Sequence, residues 1–310
     1  MYIDIKNANI LITGATGFLG KYVMREVFDF FDSRNVFILS DSYKGRGNTI
    51  SVNHSTFEKE DFIKAGLTRI DIVLHIGAYS PKKSIDQDKV SENIENIIST
   101  KRLLDNLPDI PRLIIFSSSV SVYENCGKCI TESSPIQTAH MYGVSKYLCE
   151  KMIIEYCKAN SINYGIFRIG QLYGEGEEKY DKIVSSFLLK AMKGEEIRIF
   201  SDGKEKRNLL YVGDCAKWII EAIKYLYGNA NSIICNLVSK NTISVAELVH
   251  IIICVTQSKS NVEVQNRIKG RNDNYSVRRL SDILGKQCDE ICIEDAISNM
   301  YMYMLEKDND

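Results

Sequence analysis

A tyrosine, a lysine and a serine have the residue types and the spacing that proton transfer requires. Tyr142 and Lys146 stand four residues apart at the start of a predicted helix, so both side chains project from one face. A phenol has a pKa of about 10, and a neighbouring ammonium lowers that value because it favours the phenolate. Ser119 follows a predicted strand and can hydrogen-bond the same substrate oxygen. The three residues predict a proton shuttle, although a Tyr-x3-Lys pair alone is common on helix surfaces.

The elements that would position this shuttle begin with a strand, a glycine turn and a helix. The apolar run 10–12 predicts a short buried strand, and residues 21–31 carry apolar side chains at helical spacing. The glycines between them are spaced G-x-x-G-x-x-G, which lets the backbone approach phosphates while the helix N-terminus meets their charge. This layout predicts a dinucleotide site. Its expected cofactor contacts are Gly14, Thr16, Gly17, Phe18, Leu19 and Gly20.

Asp41 indicates which dinucleotide is expected. It ends the predicted strand 36–40, where an acidic residue accepts hydrogen bonds from an adenosine ribose. The loop 42–46 is partly basic, which would suit the 2′-phosphate of NADP. Asp41 would repel that phosphate, so we expect NAD, with NADP as the alternative. Next to this cofactor, Lys146 can donate to the nicotinamide ribose.

Further cofactor contacts follow the next two apolar segments. Asp61 and Phe62 are candidates for the adenine end, and Asp61 has the alternative role of a helix N-cap. Gly77 and Ala78 follow the predicted strand 70–76 and are small enough for the backbone to pass close to a cofactor.

Strand and helix patterns alternate as far as about residue 170. This alternation predicts an α/β fold of Rossmann type, in which a parallel sheet has helices on both faces and binds ligands beyond the carboxyl ends of its strands. The later pattern is less regular and predicts a smaller C-terminal α/β lobe. We expect an NAD-binding domain over residues 1–170, which also carries the catalytic residues, and a substrate-binding lobe over 171–310, with an interleaved boundary.

Composition excludes several classes of protein. The 310 residues are 45% hydrophobic and 25% charged, and the formal net charge of -1 lacks the basic excess of a nucleic-acid-binding protein. No apolar run approaches bilayer-spanning length, and the first strand begins too early for a signal peptide. We therefore expect no nucleic acid, no membrane and a cytoplasmic location.

The nine cysteines do not predict a metal centre. Cys126-x-x-Cys129 and Cys288-x3-Cys292 lie far apart and lack the flanking histidines or glycines of a zinc site. Reduced and partly buried thiols are the expectation, with no metal.

Together, these motifs resemble the extended short-chain dehydrogenase/reductase family, which contains NAD-dependent nucleotide-sugar epimerases and dehydratases. The resemblance covers nearly the whole chain. The matching segments are Thr13-Gly14-x-x-Gly17-x-x-Gly20, Asp41, His75-Ile76-Gly77-Ala78, residues 117–123, Tyr142-x3-Lys146, Phe167-Arg168-Ile169-x-x-Leu172-Tyr173-Gly174 and residues 203–214.

The resemblance implies a role for each candidate residue. Ser119, Tyr142 and Lys146 would be catalytic, and Ser119 and Tyr142 would also bind the substrate, a nucleotide-diphosphate sugar. Arg207 and Arg271 would pair with its diphosphate; a solvated surface charge is the alternative for each. The resemblance also implies a homodimer formed through the helices at 91–107 and 142–158.

Departures from the family pattern narrow the predicted reaction. The family's 4,6-dehydratases have an Asp-Glu pair where this chain has Val120 and Ser121, so elimination lacks its acid and base. Glu175 stands where the family often has proline, and Ser80 where some 4-epimerases have lysine.

The resulting hypothesis is a nucleotide-sugar 4-epimerase, which oxidises C4 to a 4-keto intermediate and reduces it on the other face. Surface polysaccharide or deoxysugar biosynthesis is the expected setting. One alternative is an NAD(P)H-dependent 4-keto-sugar-nucleotide reductase that uses the same residues. The other is a non-catalytic NAD-binding regulator.

Overall fold

The alternating strands and helices of the first half are present. The computed structural model describes residues 4–53, 56–123, 128–177, 181–229, 231–268, 270, 272–285 and 289–308. The elements of the first half are β1 (Ile10–Thr13), α1 (Phe18–Phe30), β2 (Val36–Leu39), β3 (Asn48–Ile50), α2 (Lys59–Lys64), β4 (Ile72–His75), α3 (Val90–Asn106), β5 (Leu113–Ser119), α4 (Met141–Ala159) and β6 (Asn163–Ile169).

The second half has shorter strands. Its elements are β7 (Gln171–Tyr173), α5 (Ile183–Lys193), β8 (Ile197–Ile199), β9 (Lys206–Arg207), β10 (Leu209–Tyr211), α6 (Val212–Gly228), β11 (Ile233–Leu237), β12 (Ile243–Ser244), α7 (Val245–Thr256), β13 (Val262–Val264), α8 (Arg278–Leu284) and α9 (Ile293–Asp308).

The described residues form one seven-stranded parallel sheet in the order β11-β6-β5-β4-β1-β2-β3. Neighbouring residues of a strand face opposite sides, so Ile10 and Ile12 pack into one core cluster and Leu11 into another. Helices α1 and α6 cover the first side, whereas α2 and α4 contribute to the second. The predicted Rossmann-type fold class is confirmed.

The second half is divided between this sheet and a smaller lobe. Strand β11 pairs with β6 at the edge of the sheet, and α6 packs against α1. A third core cluster lies among α5, β8, α7 and α9. The chain therefore returns to the sheet after residue 170, and the proposed division at that residue stays a prediction.

The topology gathers the candidate site residues at one edge. In the strand register, Thr13 lies opposite both Leu39 and His75, and His75 lies opposite Phe116. Gly14 directly follows Thr13, whereas Asp41 and Gly77 each lie two residues beyond the end of β2 and β4. Ser119 is the last residue of β5. In the described part of the chain, no helix combines the length and the apolar character needed to span a bilayer.

Substitution of Trp218 on α6 measures how much packing from the second half of the chain stabilises the sheet. Its side chain is 1% exposed within the first core cluster, so Trp218→Ala should lower the free energy of unfolding by about 3–5 kcal/mol. Urea unfolding followed by circular dichroism measures this, because the substitution removes the single tryptophan of the chain. Lys217→Ala, at an exposed position of the same helix, is the control. Equal midpoints for the two variants would contradict the prediction.

Candidate active site

The glycine turn forms a tight junction between β1, β4 and α1. Gly14 has a φ of 79°, and a Cβ atom on it would lie 2.5 Å from the backbone nitrogen of Gly77. A Cβ atom on Gly20 would lie 2.0 Å from the carbonyl oxygen of Gly14. Gly17 precedes α1 and brings no capping side chain, which leaves the first N–H groups of that helix for a ligand. This cradle fits a pyrophosphate.

A buried histidine holds the end of β4 beside this turn. The Thr13 hydroxyl accepts a hydrogen bond from the Gly77 N–H (3.0 Å) and is bonded to Nδ1 of His75 (2.7 Å). Nε2 of His75 is bonded to the Thr100 hydroxyl at 2.9 Å. Burial lowers the pKa of His75 to about 3, so the neutral ring links the two threonines. His75 therefore positions Gly77.

The other predicted contacts of the glycine turn differ in exposure. Thr16 and Gly17 are exposed, and Phe18 is partly buried. The Leu19 side chain is 9% exposed and packs into the first core cluster. Leu19 can therefore offer a cofactor only its backbone.

The residues predicted to contact the adenosine end of the cofactor also differ in exposure. Asp41 is exposed after β2, and Ala78 is partly exposed after β4. Asp61 accepts a hydrogen bond from the Glu58 N–H at 2.9 Å, which caps α2 from the third helical residue rather than from the N-cap position. The Phe62 ring is fully buried in the second core cluster, so Phe62, like Leu19, can offer a cofactor only its backbone.

The serine, tyrosine and lysine meet where β5 ends and α4 begins. Ser119 is 8% exposed, and its hydroxyl donates to Ser121 Oγ at 3.1 Å. The hydroxyls of Ser119 and Ser80 lie near enough to the Tyr142 phenol to lower its pKa. Nζ of Lys146 lies 6.0 Å from the centre of the Tyr142 ring and donates to the Ser117 carbonyl oxygen at 2.7 Å. The structure thus brings together the three residues predicted to be catalytic and adds Ser80, which sequence reasoning did not assign to the phenol.

The predicted acidification of Tyr142 is not seen in this arrangement. Burial raises the pKa of the Tyr142 phenol, and the hydrogen bonds with Ser80 and Ser119 oppose that change only in part. Burial also lowers the pKa of Lys146 to about 8, although Cys149 and Glu150 act in the opposite direction. Burial is the largest cause for both groups, because the phenolate and the ammonium each lose hydration in surroundings of low dielectric.

The predicted phosphate-binding arginines lie in the second lobe. Arg207 on β9 has a side chain that is 27% exposed, and its Nε has no hydrogen-bond partner among the described residues. Its Nη2 is 4.0 Å from Oε1 of Glu205, so the guanidinium retains donors for an anion. Arg271 lies outside the described residues.

A buried ion pair behind the site was missed by the sequence analysis. Arg168 on β6 donates from Nε and Nη2 to the Glu150 carboxylate, at 3.0 and 2.7 Å, and both side chains are at most 4% exposed. Ser118 donates to the same carboxylate. Glu150 is one turn beyond Lys146 on α4, and Ser118 precedes Ser119. The ion pair therefore holds α4, which carries Tyr142 and Lys146, against β5, which ends at Ser119.

A tyrosine that follows β5 and a side chain on β11 extend this network. Arg168 Nη1 donates to the Tyr123 hydroxyl at 2.7 Å, which donates to the Asn236 side chain on β11 at 2.9 Å. The helical spacing of Glu150 from Lys146 was a usable signal for the first partner. Nothing local in the sequence indicated Arg168 as the second.

The described residues bring no three His, Cys, Asp or Glu side chains together as metal ligands. Cys126 and Cys288, from the two cysteine pairs considered above, lie outside the described residues.

Comparisons with known proteins agree with this fold and site. The model of the NAD dependent epimerase/dehydratase family matches residues 10–237. A putative UDP-glucose 4-epimerase of Methanocaldococcus jannaschii is 29% identical over 226 residues, which are 70% of this chain and 73% of that protein.

Solved structures share the fold at lower identity. A UDP-N-acetylglucosamine 4-epimerase of Methanobrevibacter ruminantium, in complex with UDP-N-acetylmuramic acid, superposes with a TM-score of 0.81 at 20% identity, over 98% of this chain and 100% of that one. MoeE5, in complex with UDP-glucose and NAD, gives a TM-score of 0.77 at 20% identity, over 96% and 99% of the two chains.

The fold and the family match define a dinucleotide-binding enzyme. The family match extends over most of the chain, and the protein belongs to the NAD dependent epimerase/dehydratase family. The resemblance inferred from the sequence motifs is thereby confirmed.

Lys146 provides a test of the buried site. Below about pH 8 the folded protein holds an ammonium that is better hydrated in the unfolded chain, since burial lowers the pKa from 10.5 to about 8. Lys146→Met removes this penalty but leaves the Ser117 carbonyl without its donor. We expect a gain in the free energy of unfolding of about 2 kcal/mol near neutral pH.

The stability difference between Lys146→Met and the parent protein should change with pH in one direction. Between about pH 8 and 10.5 the unfolded chain keeps the proton that the folded protein loses, so the parent protein becomes more stable and the advantage of Lys146→Met shrinks. Urea unfolding at several pH values measures both effects, and Lys151→Met, exposed on the same helix, is the control. A Lys146→Met protein that is less stable than its parent at neutral pH would refute the prediction.

Proposed function

We propose that the protein is a nucleotide-sugar 4-epimerase that keeps its NAD bound through the catalytic cycle. The observation that carries this proposal is the meeting of Ser119, Tyr142 and Lys146 beside the glycine turn, with Val120 and Ser121 where a dehydratase needs carboxylates. UDP-glucose and UDP-N-acetylglucosamine, named for the similar epimerases, are the first substrates to test.

The residues at the sheet edge fit the dinucleotide. The first N–H groups of α1 and the backbone at Gly14 would hold its pyrophosphate, and Asp41 would accept hydrogen bonds from its adenosine ribose. Asp41 is also the reason to propose NAD rather than NADP, since its carboxylate would repel a 2′-phosphate. Asp61, engaged in capping α2, and the backbone of Phe62 would lie at the adenine end.

The catalytic side chains act on one sugar oxygen. When bound, NAD would supply reversible hydride transfer at C4 of the sugar. Tyr142 removes the proton of the C4 hydroxyl and later gives it back. Ser119 hydrogen-bonds the same oxygen and holds it beside the phenol. Lys146 supplies a positive charge beneath the reacting groups, which favours the phenolate when the proton leaves.

Diphosphate binding is assigned to the second lobe. The Arg207 side chain is 27% exposed, and its planar guanidinium suits a diphosphate oxygen. Arg271 is the second proposed phosphate ligand on the basis of the family resemblance. Surface polysaccharide or deoxysugar biosynthesis, and a cytoplasmic location, stay predictions.

Replacement of the phenol tests the reaction. Tyr142→Phe removes the proton acceptor while keeping the ring, so turnover should fall by about 10²–10⁴-fold with little change in bound NAD. NMR of the sugar anomeric protons follows conversion of UDP-glucose or UDP-N-acetylglucosamine to its C4 epimer. Tyr156→Phe, partly buried on the same helix, is the matched control.

Three results would count against the proposal. Unchanged turnover in Tyr142→Phe would remove Tyr142 from catalysis. Stoichiometric oxidation of NADH or NADPH with each product would instead indicate the 4-keto-reductase. Bound NAD with no turnover of any nucleotide sugar would indicate the regulator.

We also propose a homodimer formed through α3 and α4. Val90, Ile94 and Ile98 are spaced one turn apart on α3, and each is at least 41% exposed. Leu148 on the neighbouring helix α4 is 42% exposed. A second copy of this two-helix face would cover these apolar side chains.

Charged side chains on the exposed apolar stripe of α3, which we define as Val90, Ile94 and Ile98, should break the dimer. Ile94→Glu combined with Ile98→Glu would bury carboxylates in the interface, so the mass measured by light scattering should fall from that of a dimer to that of a monomer. Ile110→Glu, at an exposed apolar position outside the stripe, should leave the dimer intact. A monomeric parent protein would refute the proposed interface.

A further inference from the structure

One carboxylate joins side chains from the two lobes. Glu175, just after β7, accepts a hydrogen bond from the Tyr22 hydroxyl on α1 at 2.8 Å. The Tyr211 hydroxyl, at the end of β10, donates to the same carboxylate, with oxygen distances of 2.9 and 3.1 Å. We call Tyr22, Glu175 and Tyr211 the clasp.

The clasp lies on a row of aromatic rings that crosses between core clusters. Phe18 and Tyr22 meet edge to face with their ring centres 6.2 Å apart, and Tyr22 meets Tyr211 at 6.3 Å. Tyr211 in turn meets Tyr173 at 5.9 Å, a residue of the third core cluster. The row therefore runs from the glycine turn into the second lobe, and Glu175 binds its two middle rings.

The glycines that flank Glu175 shape the turn around it. Gly174 and Gly176 have φ values of 148° and 93°, which non-glycine residues rarely adopt. A Cβ atom on Gly176 would lie 3.9 Å from the Phe18 ring, so this turn touches the first residue of α1. That first turn of α1 is where the pyrophosphate would bind.

The chemistry of the clasp favours a closed state that can still open. Burial and the hydrogen bond to Glu175 raise the pKa of both Tyr22 and Tyr211, so both phenols remain protonated donors. Hydrogen bonds to a carboxylate are stronger than those between neutral groups. Tyr22 and Glu175 also line a cavity of about 460 Å³ between α1 and α9, through which water can compete for these bonds.

We propose that the clasp slows release of the dinucleotide by holding the Gly174–Gly176 turn and the second lobe against the start of α1. Glu175, Tyr22 and Tyr211 are then positioning residues, which act on cofactor retention and not on the chemical step. This inference rests on the proposed function, because an epimerase must keep the reduced cofactor until the hydride returns, whereas a reductase must exchange it.

Cofactor release from the full chain, with no sugar present, tests the clasp. Protein loaded with NADH is mixed with excess NAD, and the decay of nicotinamide fluorescence gives the dissociation rate. Tyr22→Phe, Tyr211→Phe and Glu175→Ala should each release NADH about tenfold faster. Adding Tyr211→Phe to Glu175→Ala should give no further acceleration, because the Tyr211 hydroxyl donates to the carboxylate that Glu175→Ala removes. Adding Tyr22→Phe should still accelerate release slightly, because the Tyr22 hydroxyl also donates to the Glu175 backbone carbonyl oxygen at 3.0 Å. Glu175→Gln, which keeps an acceptor oxygen, should release more slowly than Glu175→Ala.

Controls separate retention from folding and from the reaction itself. Tyr225→Phe, exposed on α6, should release NADH at the parent rate. The midpoint of thermal unfolding of the cofactor-free Tyr22→Phe and Tyr211→Phe proteins should stay close to that of the parent, because both variants keep the ring and its packing. Parent release rates in Tyr22→Phe and Glu175→Ala would overturn the clasp while leaving the epimerase proposal intact. A parent protein that binds no dinucleotide would overturn both proposals.

Discussion

The geometry of the site depends on the buried ion pair between Arg168 and Glu150. Its two parallel hydrogen bonds join β6 to α4, and Ser118 ties the same carboxylate to β5. Removing either partner would leave an uncompensated charge in the core, which is far more unfavourable than burying the intact pair. Ser119 and Lys146 each lie close in sequence to a member of this network. Their relative placement therefore follows from an interaction that itself touches no substrate.

The site gathers groups that are unfavourable to bury. Lys146 is 3% exposed and His75 is 4% exposed, and burial lowers the pKa of both. Both side chains are hydrogen-bonded: Lys146 donates to the Ser117 carbonyl oxygen, and His75 is bonded to two threonine hydroxyls. The folded protein thus gives up stability to keep a lysine beside a tyrosine in surroundings of low dielectric. Such surroundings strengthen every electrostatic interaction that a bound ligand makes there.

Three features connect the two lobes: the chain returns to the sheet after the second lobe begins, side chains pack between the lobes, and polar groups bond across them. Strand β11 and helix α6 return to the sheet, so the second lobe cannot separate from it without breaking the first core cluster. The row of aromatic rings and the carboxylate of Glu175 add a contact that can open locally, since it borders a cavity. Large motions of the second lobe relative to the sheet are thereby limited.

The sequence by itself determined the elements that repeat over short distances. Glycine spacing, apolar runs and the four-residue separation of Tyr142 and Lys146 are local patterns, and the sheet, the glycine turn and the start of α4 follow them closely. Only the tertiary structure decided which distant groups meet: Arg168 with Glu150, and Glu175 with two tyrosines. It also reversed the expected direction of the Tyr142 pKa shift, because burial, which local spacing does not report, raises the pKa of the phenol. Local periodicity fixes the direction in which a side chain leaves its helix or strand, but burial and partners depend on the packing of segments far apart in the chain.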